Sequence, residues 1–266
     1  MTKPALSIIV PYRDRLEHLR LFLPHIQRYF SRDKLDRDIP YSVTIVEQAN
    51  SEEFNAGQLR NIGFLLSREG HDYFCFHDVD YLPIWADYSY CTMPTRIIWH
   101  GADRRPRDAG EAHRLRHDHE RFFGAAVMLN KAHFELANGY SNGYPGWGYE
   151  DDDLRERCLA CGLEIALRDG TFEPLTHRNR GHNEDLTPTE AAVRNRLRFI
   201  DQRPILRAGR KESWDGLRQT EFKLIETIRL EPLAGERPPA FLQMVRVDFT
   251  AAKGRHAWAG MGPLPA

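Results

Sequence analysis

Four consecutive acids, Glu150, Asp151, Asp152 and Asp153, follow the glycine-rich loop Gly143-Tyr-Pro-Gly-Trp-Gly-Tyr149. Acids in a first helical turn complement the positive end of the helix dipole, and one or two suffice for that. Four adjacent carboxylates repel one another and raise each other's pKa, so capping alone explains them poorly. A loop with glycine hinges beside such a cluster suits a site that closes over a polar ligand and uses one carboxylate as a base. A second acidic pair, Asp78-Val-Asp80, ends the apolar run Tyr73-Phe-Cys-Phe76. Period-two alternation would put both carboxylates on one side, as hard oxygen donors for Mg²⁺ or Mn²⁺ held with a diphosphate. Further metal ligands are offered by His177 and His182, in a segment too polar for a core role. Pro11-Tyr-Arg-Asp-Arg15 supplies a turn, an aromatic face and two guanidinium groups, the parts needed to hold a nucleotide by stacking and charge-assisted hydrogen bonds.

The elements that position these groups follow from periodicity. Leu6-Ser-Ile-Ile-Val10 reads as a buried strand. Asp14 is placed to cap a helix with the stripe Leu16, Leu19, Leu23, Ile26 and Phe30, which Pro24 bends or divides. A strand over Tyr41–Val46, a helix over Gln58–Leu66 and the strand before His77 complete a β-α-β-α-β order. That order points to a doubly wound parallel sheet, in which ligands bind at the carboxyl ends of strands. Residues 101–121 read as a charged, solvated loop, and a short helix is expected after the acids from Leu154. Others are expected over 131–138 and over 187–203, the last capped by Thr187 with Pro188 first in the helix. Two strands follow, over Glu221–Ile228 and Phe241–Phe249. No linker divides the chain, so one domain over 1–250 with a loose tail over 251–266 is expected.

Composition excludes several classes. The 266 residues are 41% hydrophobic and 28% charged with a net charge of −1, and lack the basic excess of a general nucleic-acid binder. The longest apolar runs are too short to span a bilayer, and the N-terminus has no signal pattern. A cytoplasmic protein is expected, with peripheral membrane contact left open. The cysteines Cys75, Cys91, Cys158 and Cys161 form no framework and are read as apolar thiols.

In order along the chain, these segments resemble the β-1,4-galactosyltransferase family (glycosyltransferase family 7). The resemblance is carried by Val10-Pro-Tyr-Arg-Asp-Arg15, Phe54-Asn55, Asn61-Ile-Gly63, Phe76-His-Asp-Val-Asp-Tyr-Leu-Pro83, Phe123-Gly124, Asn138-Gly-Tyr-Ser-Asn142, Gly146-Trp-Gly-Tyr-Glu-Asp-Asp-Asp153 and the His177 segment. It implies a GT-A type, Rossmann-like, mostly parallel α/β sheet flanked by helices. It also implies a UDP-sugar donor, a saccharide or glycolipid acceptor, Mn²⁺ dependence and inversion at the anomeric carbon. By position, Asp80 and His177 would ligate the metal, with His182 as a further ligand. Pro11, Arg13, Arg15 and Phe54 would line the uridine and diphosphate pocket, with Asp78 near the ribose. Asp151 would be the base, Glu150 and Asp152 would hold sugar hydroxyls, and Trp147 would close the site. Phe122, Gly124 and Gly148 would also contact substrate.

The departures from the family pattern are Ala56 where Arg is usual, Pro174 or Leu175 where a third metal ligand is usual, and Phe122 where many galactosyl enzymes have Tyr. Arg60 is the candidate to replace the missing phosphate contact. The bulk of Phe122 favours galactose over N-acetylgalactosamine. Transfer of N-acetylgalactosamine or glucose, a non-catalytic nucleotide-sugar or glycan-binding protein of the same fold, and a metal-dependent phosphohydrolase are the rival readings.

Overall fold

All seven residues of Leu6–Tyr12 (β1) are buried, because this strand has neighbours on both edges and helices on both faces. The pleat sends alternate side chains to opposite faces. Ile8 and Val10 pack with Leu19, Phe22, Ile26 and Phe30 of helix α1 (Leu16–Ser31). Ile9 packs with Leu59, Ile62 and Phe64 of helix α2 (Ala56–Ser67). The computed structural model describes residues 3–32, 38–98, 100–101, 122–176 and 187–249. The tail expected over 251–266 lies outside them, as do residues 102–121.

The remaining elements are β2 (Tyr41–Gln48), β3 (Tyr73–His77), β4 (Tyr81–Ala86), β5 (Thr95–Arg96), β6 (His100–Gly101), β7 (Ala126–Asn130), α3 (Lys131–Leu136), α4 (Glu150–Ala160), β8 (Ala166–Leu167), β9 (Gly170–Pro174), α5 (Glu190–Arg207), β10 (Lys223–Arg229) and β11 (Leu242–Asp248). The main sheet has the order β10-β11-β2-β1-β3-β7-β5-β8. Its centre, β11-β2-β1-β3, is parallel throughout, while β10 and β7 pair antiparallel at its flanks. The sheet is therefore mostly parallel and flanked by helices, as expected. From β1 the chain passes to β2 on one side and later to β3 on the other, so the crevice beyond the carboxyl end of β1 is the topological switch point. Pro11–Arg15 and Asp78–Asp80 both open into it.

Several local expectations are corrected. Asp14 does not cap α1; it adopts a left-handed φ of 52°, and Arg15 opens the helix without a side-chain cap bond. Pro24 sits inside α1 without dividing it, and Leu16 is exposed rather than part of the buried stripe. Thr189, not Thr187, caps α5, its hydroxyl accepting from the Ala192 N–H at 3.3 Å. Helix α4 begins at Glu150, so all four acids lie in its first turn. The three-stranded sheet β4-β9-β6 has no counterpart in the sequence reading. All four cysteines are free, three of them buried. No helix among the described residues is long and apolar enough to cross a membrane.

Candidate active site

The four acids of α4 have separate fates. Asp153 is a core group: it accepts from the Tyr144 hydroxyl at 3.1 Å and from Nε of buried Arg157, which itself donates to the Asp215 carbonyl at 2.6 Å. Glu150 accepts from Arg60 Nη1 at 3.0 Å. Asp152 is half-buried and faces the charges of Arg155 and Arg203. Asp151 has no ion pair among the described residues; its Oδ1 accepts from the Asp152 N–H at 2.9 Å. Burial holds the Asp151 carboxyl well above the usual carboxylate range, and the charges of Glu150 and then Asp152 push it further; the Asp152 N–H and Arg60 only partly offset this. The result is a carboxylate with high proton affinity at the mouth of the crevice, the property a general base needs.

Gly124 makes room for it. A Cβ on Gly124 would stand 2.6 Å from Asp151 Oδ2 and 3.0 Å from the Phe122 ring, so these three residues meet at one point. The Gly124 segment is tied to the first acidic pair through Ala125, whose carbonyl accepts from the Asp78 N–H at 2.7 Å.

Asp78 and Asp80 do not share a strand face, because β3 ends at His77 and both lie in the following turn. Asp78 accepts from Arg60 Nη2 at 2.6 Å, and Asp80 accepts from Arg15 Nη1 at 2.5 Å. The Asp78 carboxyl is pushed up to about 6, chiefly by burial; Arg60 pulls it down, while Asp80 and Glu150 raise it. Arg60 therefore bridges Asp78 and Glu150 from the middle of α2, with its guanidinium 5.0 Å from the centre of the Tyr140 ring. It is a buried clamp between the two acidic clusters rather than an exposed phosphate contact.

Arg13 lies over the Phe54 ring at 5.5 Å and donates to the Glu52 carbonyl at 2.6 Å, which makes one wall of the crevice beside buried Pro11. The same Phe54 reaches the glycine loop, its carbonyl accepting from the Gly146 N–H at 2.8 Å. The loop passes Trp147, 41% exposed, and Gly148 at φ 86°, a left-handed conformation that favours glycine. Asn195 of α5 anchors it, Nδ2 donating to the carbonyls of Pro145 at 3.0 Å and Trp147 at 3.1 Å. Neither the anchoring by Asn195 nor the bridging by Arg60 is expected from the sequence. Arg60 carried one signal, being the single charged side chain of α2; Asn195 carried none.

The cation implied by the resemblance is matched in part. Asp80 is a hard oxygen donor that already faces a positive guanidinium. The Leu175 N–H donates to the Asp80 carbonyl at 2.7 Å, and Tyr81 pairs with Pro174, so the end of β9 runs alongside Asp80. His177 and His182 lie outside the described residues. Among the described residues no group of three or more His, Cys, Asp or Glu side chains is placed to hold a metal.

Residues 1–92 match the N-terminal region of glycosyl transferase group 7, and residues 104–181 match the profile described as the N-terminal domain of galactosyltransferase. The chain is 36% identical over 160 residues to human β-1,4-galactosyltransferase 7, covering 60% of this chain and 45% of that one. It is 36% identical over 255 residues to mouse β-1,4-galactosyltransferase 4, covering 92% of this chain and 64% of that one. The chain thus spans less than two thirds of the length of these curated relatives. The catalytic domain of Drosophila β-1,4-galactosyltransferase 7, crystallised with xylobiose, shares the fold with a TM-score of 0.69 at 24% identity, over 93% of this chain and 94% of that one. A mutant of the Drosophila protein in complex with manganese, UDP-Gal and xylobiose superposes with a TM-score of 0.68 at 23% identity, over the same shares of the two chains. With the two family profiles matched in order, these relatives establish that the chain belongs to the β-1,4-galactosyltransferase family, glycosyltransferase family 7.

Proposed function

We propose that the chain transfers galactose from UDP-galactose to a saccharide hydroxyl with inversion, using Mn²⁺ held by Asp80 together with His177 and His182. The carrying observation is the division of labour among the four acids: Glu150 and Asp153 are bonded to arginines and Asp152 faces the charges of Arg155 and Arg203, whereas Asp151 has no arginine bonded to it among the described residues, has its carboxyl held well above the ordinary range chiefly by burial, and fills the space beside Gly124. In a single displacement the acceptor oxygen bonds to the anomeric carbon as the bond to the UDP oxygen breaks, and Asp151 takes the hydroxyl proton. When bound, the cation stabilises charge on the leaving diphosphate. Arg13, Arg15, Pro11 and Phe54 hold the nucleotide at the switch point, with Asp78 toward the ribose. Glu150 and Asp152 orient sugar hydroxyls, and the loop carrying Trp147 and Gly148 excludes water. Phe122 and Gly124 bound the donor sugar, where the phenyl ring disfavours an N-acetyl group.

The test measures UDP release from a panel of UDP-sugars, with Mn²⁺ or with EDTA, with and without xylosides, glucosides and N-acetylglucosaminides. Release that needs Mn²⁺ and one acceptor, and vanishes in Asp151→Asn, is the expected result. Equal release from Asp151→Asn would remove the assigned base, and release without any acceptor would indicate a hydrolase.

A further inference from the structure

Arg60 occupies a position where stability alone favours an apolar side chain. Its helix neighbours Leu59, Ile62 and Phe64 are fully buried, and its own side chain is 4% exposed. Its Nε is buried as well and has no hydrogen-bond partner among the described residues. Taking a guanidinium out of water is costly, and a buried cluster of charges is commonly matched or bettered in stability when all its members become apolar. What this guanidinium adds is geometry.

The contacts of Arg60 close a ring around the crevice. Nη2 donates to Asp78 at 2.6 Å and Nη1 to Glu150 at 3.0 Å, while the guanidinium lies 5.0 Å from the centre of the Tyr140 ring. The Asp78 N–H donates to the Ala125 carbonyl at 2.7 Å. Gly124, one residue earlier, has the Asp151 carboxylate packed against it, and Asp151 follows Glu150 in the chain. The Asp78 turn, the Gly124 segment and the first turn of α4 are thus each joined to the other two. Two corners of this ring are strained: Ala125 holds a left-handed φ of 59°, and Tyr149, just before Glu150, one of 74°. Such conformations persist only where surrounding contacts enforce them, and they gather at functional sites. Tyr149 gives α4 no side-chain cap bond, so the Arg60–Glu150 pair is the polar tie between the first turn of α4 and α2.

We propose that Arg60 is a positioning residue for the transfer: by holding Glu150 against Asp78, it fixes the base Asp151 relative to the donor bound at the Asp78 turn. The inference rests on the transferase reading above and adds to it a buried residue that touches neither substrate. Asp151 faces Glu150 and Asp152 on its own helix, Arg60 from α2, and the Tyr140 hydroxyl. Arg60 therefore also lowers the proton affinity that its two acidic neighbours raise.

Arg60→Lys and Arg60→Met separate geometry from charge, because lysine keeps the charge but loses the planar fork that reaches both carboxylates. Both are assayed well below their melting temperatures, by acceptor-dependent UDP release with Mn²⁺ and by calorimetric titration of UDP–Mn²⁺. Arg60→Lys should melt within a few degrees of wild type yet lose at least tenfold in kcat, out of the roughly hundredfold that a misplacement of about 1 Å costs. Its affinity for UDP–Mn²⁺ should change less than its kcat. Arg60→Met should lose at least as much in kcat, and the acid limb of its kcat/KM should move to higher pH, since a positive charge facing Asp151 is gone. The limb of Arg60→Lys should stay where wild type has it. Wild-type kcat in both variants overturns the positioning role, as does an Arg60→Met limb that coincides with that of wild type. Weaker UDP–Mn²⁺ binding with unchanged kcat also overturns it, in favour of a part in donor binding alone. If wild type itself shows no acceptor-dependent UDP release with Mn²⁺, the transferase reading falls; these other outcomes, in an active wild type, remove only the role of Arg60.

Discussion

The Asp151 carboxylate occupies the space that a side chain on Gly124 would need, with Oδ2 2.6 Å from where that Cβ would stand. Gly124 has no left-handed φ, so alanine fits its backbone and the added methyl acts through contact alone. The nearest atoms are the carboxylate and the Phe122 ring, and the carboxylate is the easier to displace. Gly124→Ala should therefore lower kcat/KM about a hundredfold, the cost of misplacing a reacting group by about 1 Å. The melting temperature should move by only a few degrees. A variant with full activity would show that Asp151 does not act from this position.

The Arg60 bridge predicts a different signature. Its guanidinium is buried between Asp78 and Glu150, with side-chain exposures of 4%, 33% and 16%. Arg60→Met would leave two carboxylates facing each other without compensation. Losing one partner of a buried pair costs about 3–5 kcal/mol, and the exposure of Asp78 puts this case near 3 kcal/mol. At roughly 2–4 °C per kcal/mol for a domain of this size, melting should drop by roughly 6–12 °C. Adding Glu150→Gln should restore part of the loss, because one uncompensated charge then disappears. Thermal unfolding of the single and double variants checks this; additive losses would mean that the two groups are not coupled.

The split among the four acids explains what the sequence could reveal and what it could not. The apolar run Leu6–Val10 and the stripe members Leu19, Ile26 and Phe30 were legible because burial selects apolar residues at the spacing of the element, while buried Phe22 lay outside the stripe as read and exposed Leu16 lay within it. Glu150, Asp151, Asp152 and Asp153 are near-identical in chemistry, and their roles are assigned by partners far away in the chain: Arg60 for Glu150, and Tyr144 with Arg157 for Asp153. The sheet β4-β9-β6 was invisible for a related reason, since its pairing brings together short runs such as His100–Gly101 and Gly170–Pro174 from distant parts of the chain. Thr187 and Thr189 are equally good caps by residue type, and only the start of α5 at Glu190 chooses between them.

His77 gives a stability prediction with a defined sign. It is fully buried, between the Asp78 carbonyl and the Tyr88 hydroxyl, each 2.9 Å from a ring nitrogen. A carbonyl only accepts, so Nδ1 carries the proton and Nε2 accepts from Tyr88. Burial lowers the imidazole to about 4, with smaller opposing contributions from the Asp78 carbonyl and Asp80 and further lowering by His25 and Arg60. The unfolded chain takes up this proton near 6.5 and the folded one only near 4, so the stabilisation is complete above about 6.5 and is lost as pH falls toward 4. The loss is of the order of 3 kcal/mol. Asp78, whose folded pKa is raised, works in the opposite direction over part of this window, so the comparison needs a variant. Urea unfolding of wild type and His77→Gln between pH 4.5 and 8 should show wild type losing its advantage in acid; parallel curves would refute the buried neutral imidazole.

Asp151 fixes the direction of the pH–rate profile. A base must be unprotonated, and burial with Glu150 and Asp152 beside it raises the pKa of Asp151 well above the ordinary carboxylate range. The acid limb of kcat/KM at saturating Mn²⁺ should therefore fall at a pH clearly above 4, the ordinary range. Asp152→Asn removes one of the two neighbouring negative charges and should move that limb to lower pH, even as it weakens acceptor binding. A limb near 4 in wild type, unmoved by Asp152→Asn, would mean that another group takes the proton.

The Trp147 loop separates donor closure from chemistry. Its carbonyls are held from α5 by the Asn195 amide, and its Gly146 N–H is held by the Phe54 carbonyl beside the Arg13 wall. The loop therefore connects the Arg13–Phe54 corner to the start of the acidic helix. Asn195 is fully buried, so Asn195→Ala leaves both carbonyls without the amide that joins them and loosens the loop without touching a reacting group. The KM for UDP-galactose should rise several-fold, while kcat at saturation changes less, because Asp151 keeps its place beside Gly124. Trp147→Ala removes the ring proposed to close the site and should lower kcat and also permit hydrolysis of the donor by water. Measuring UDP release with and without acceptor in both variants distinguishes the two roles. A lower kcat with unchanged KM in Asn195→Ala would mean that this amide supports the catalytic acids rather than the lid.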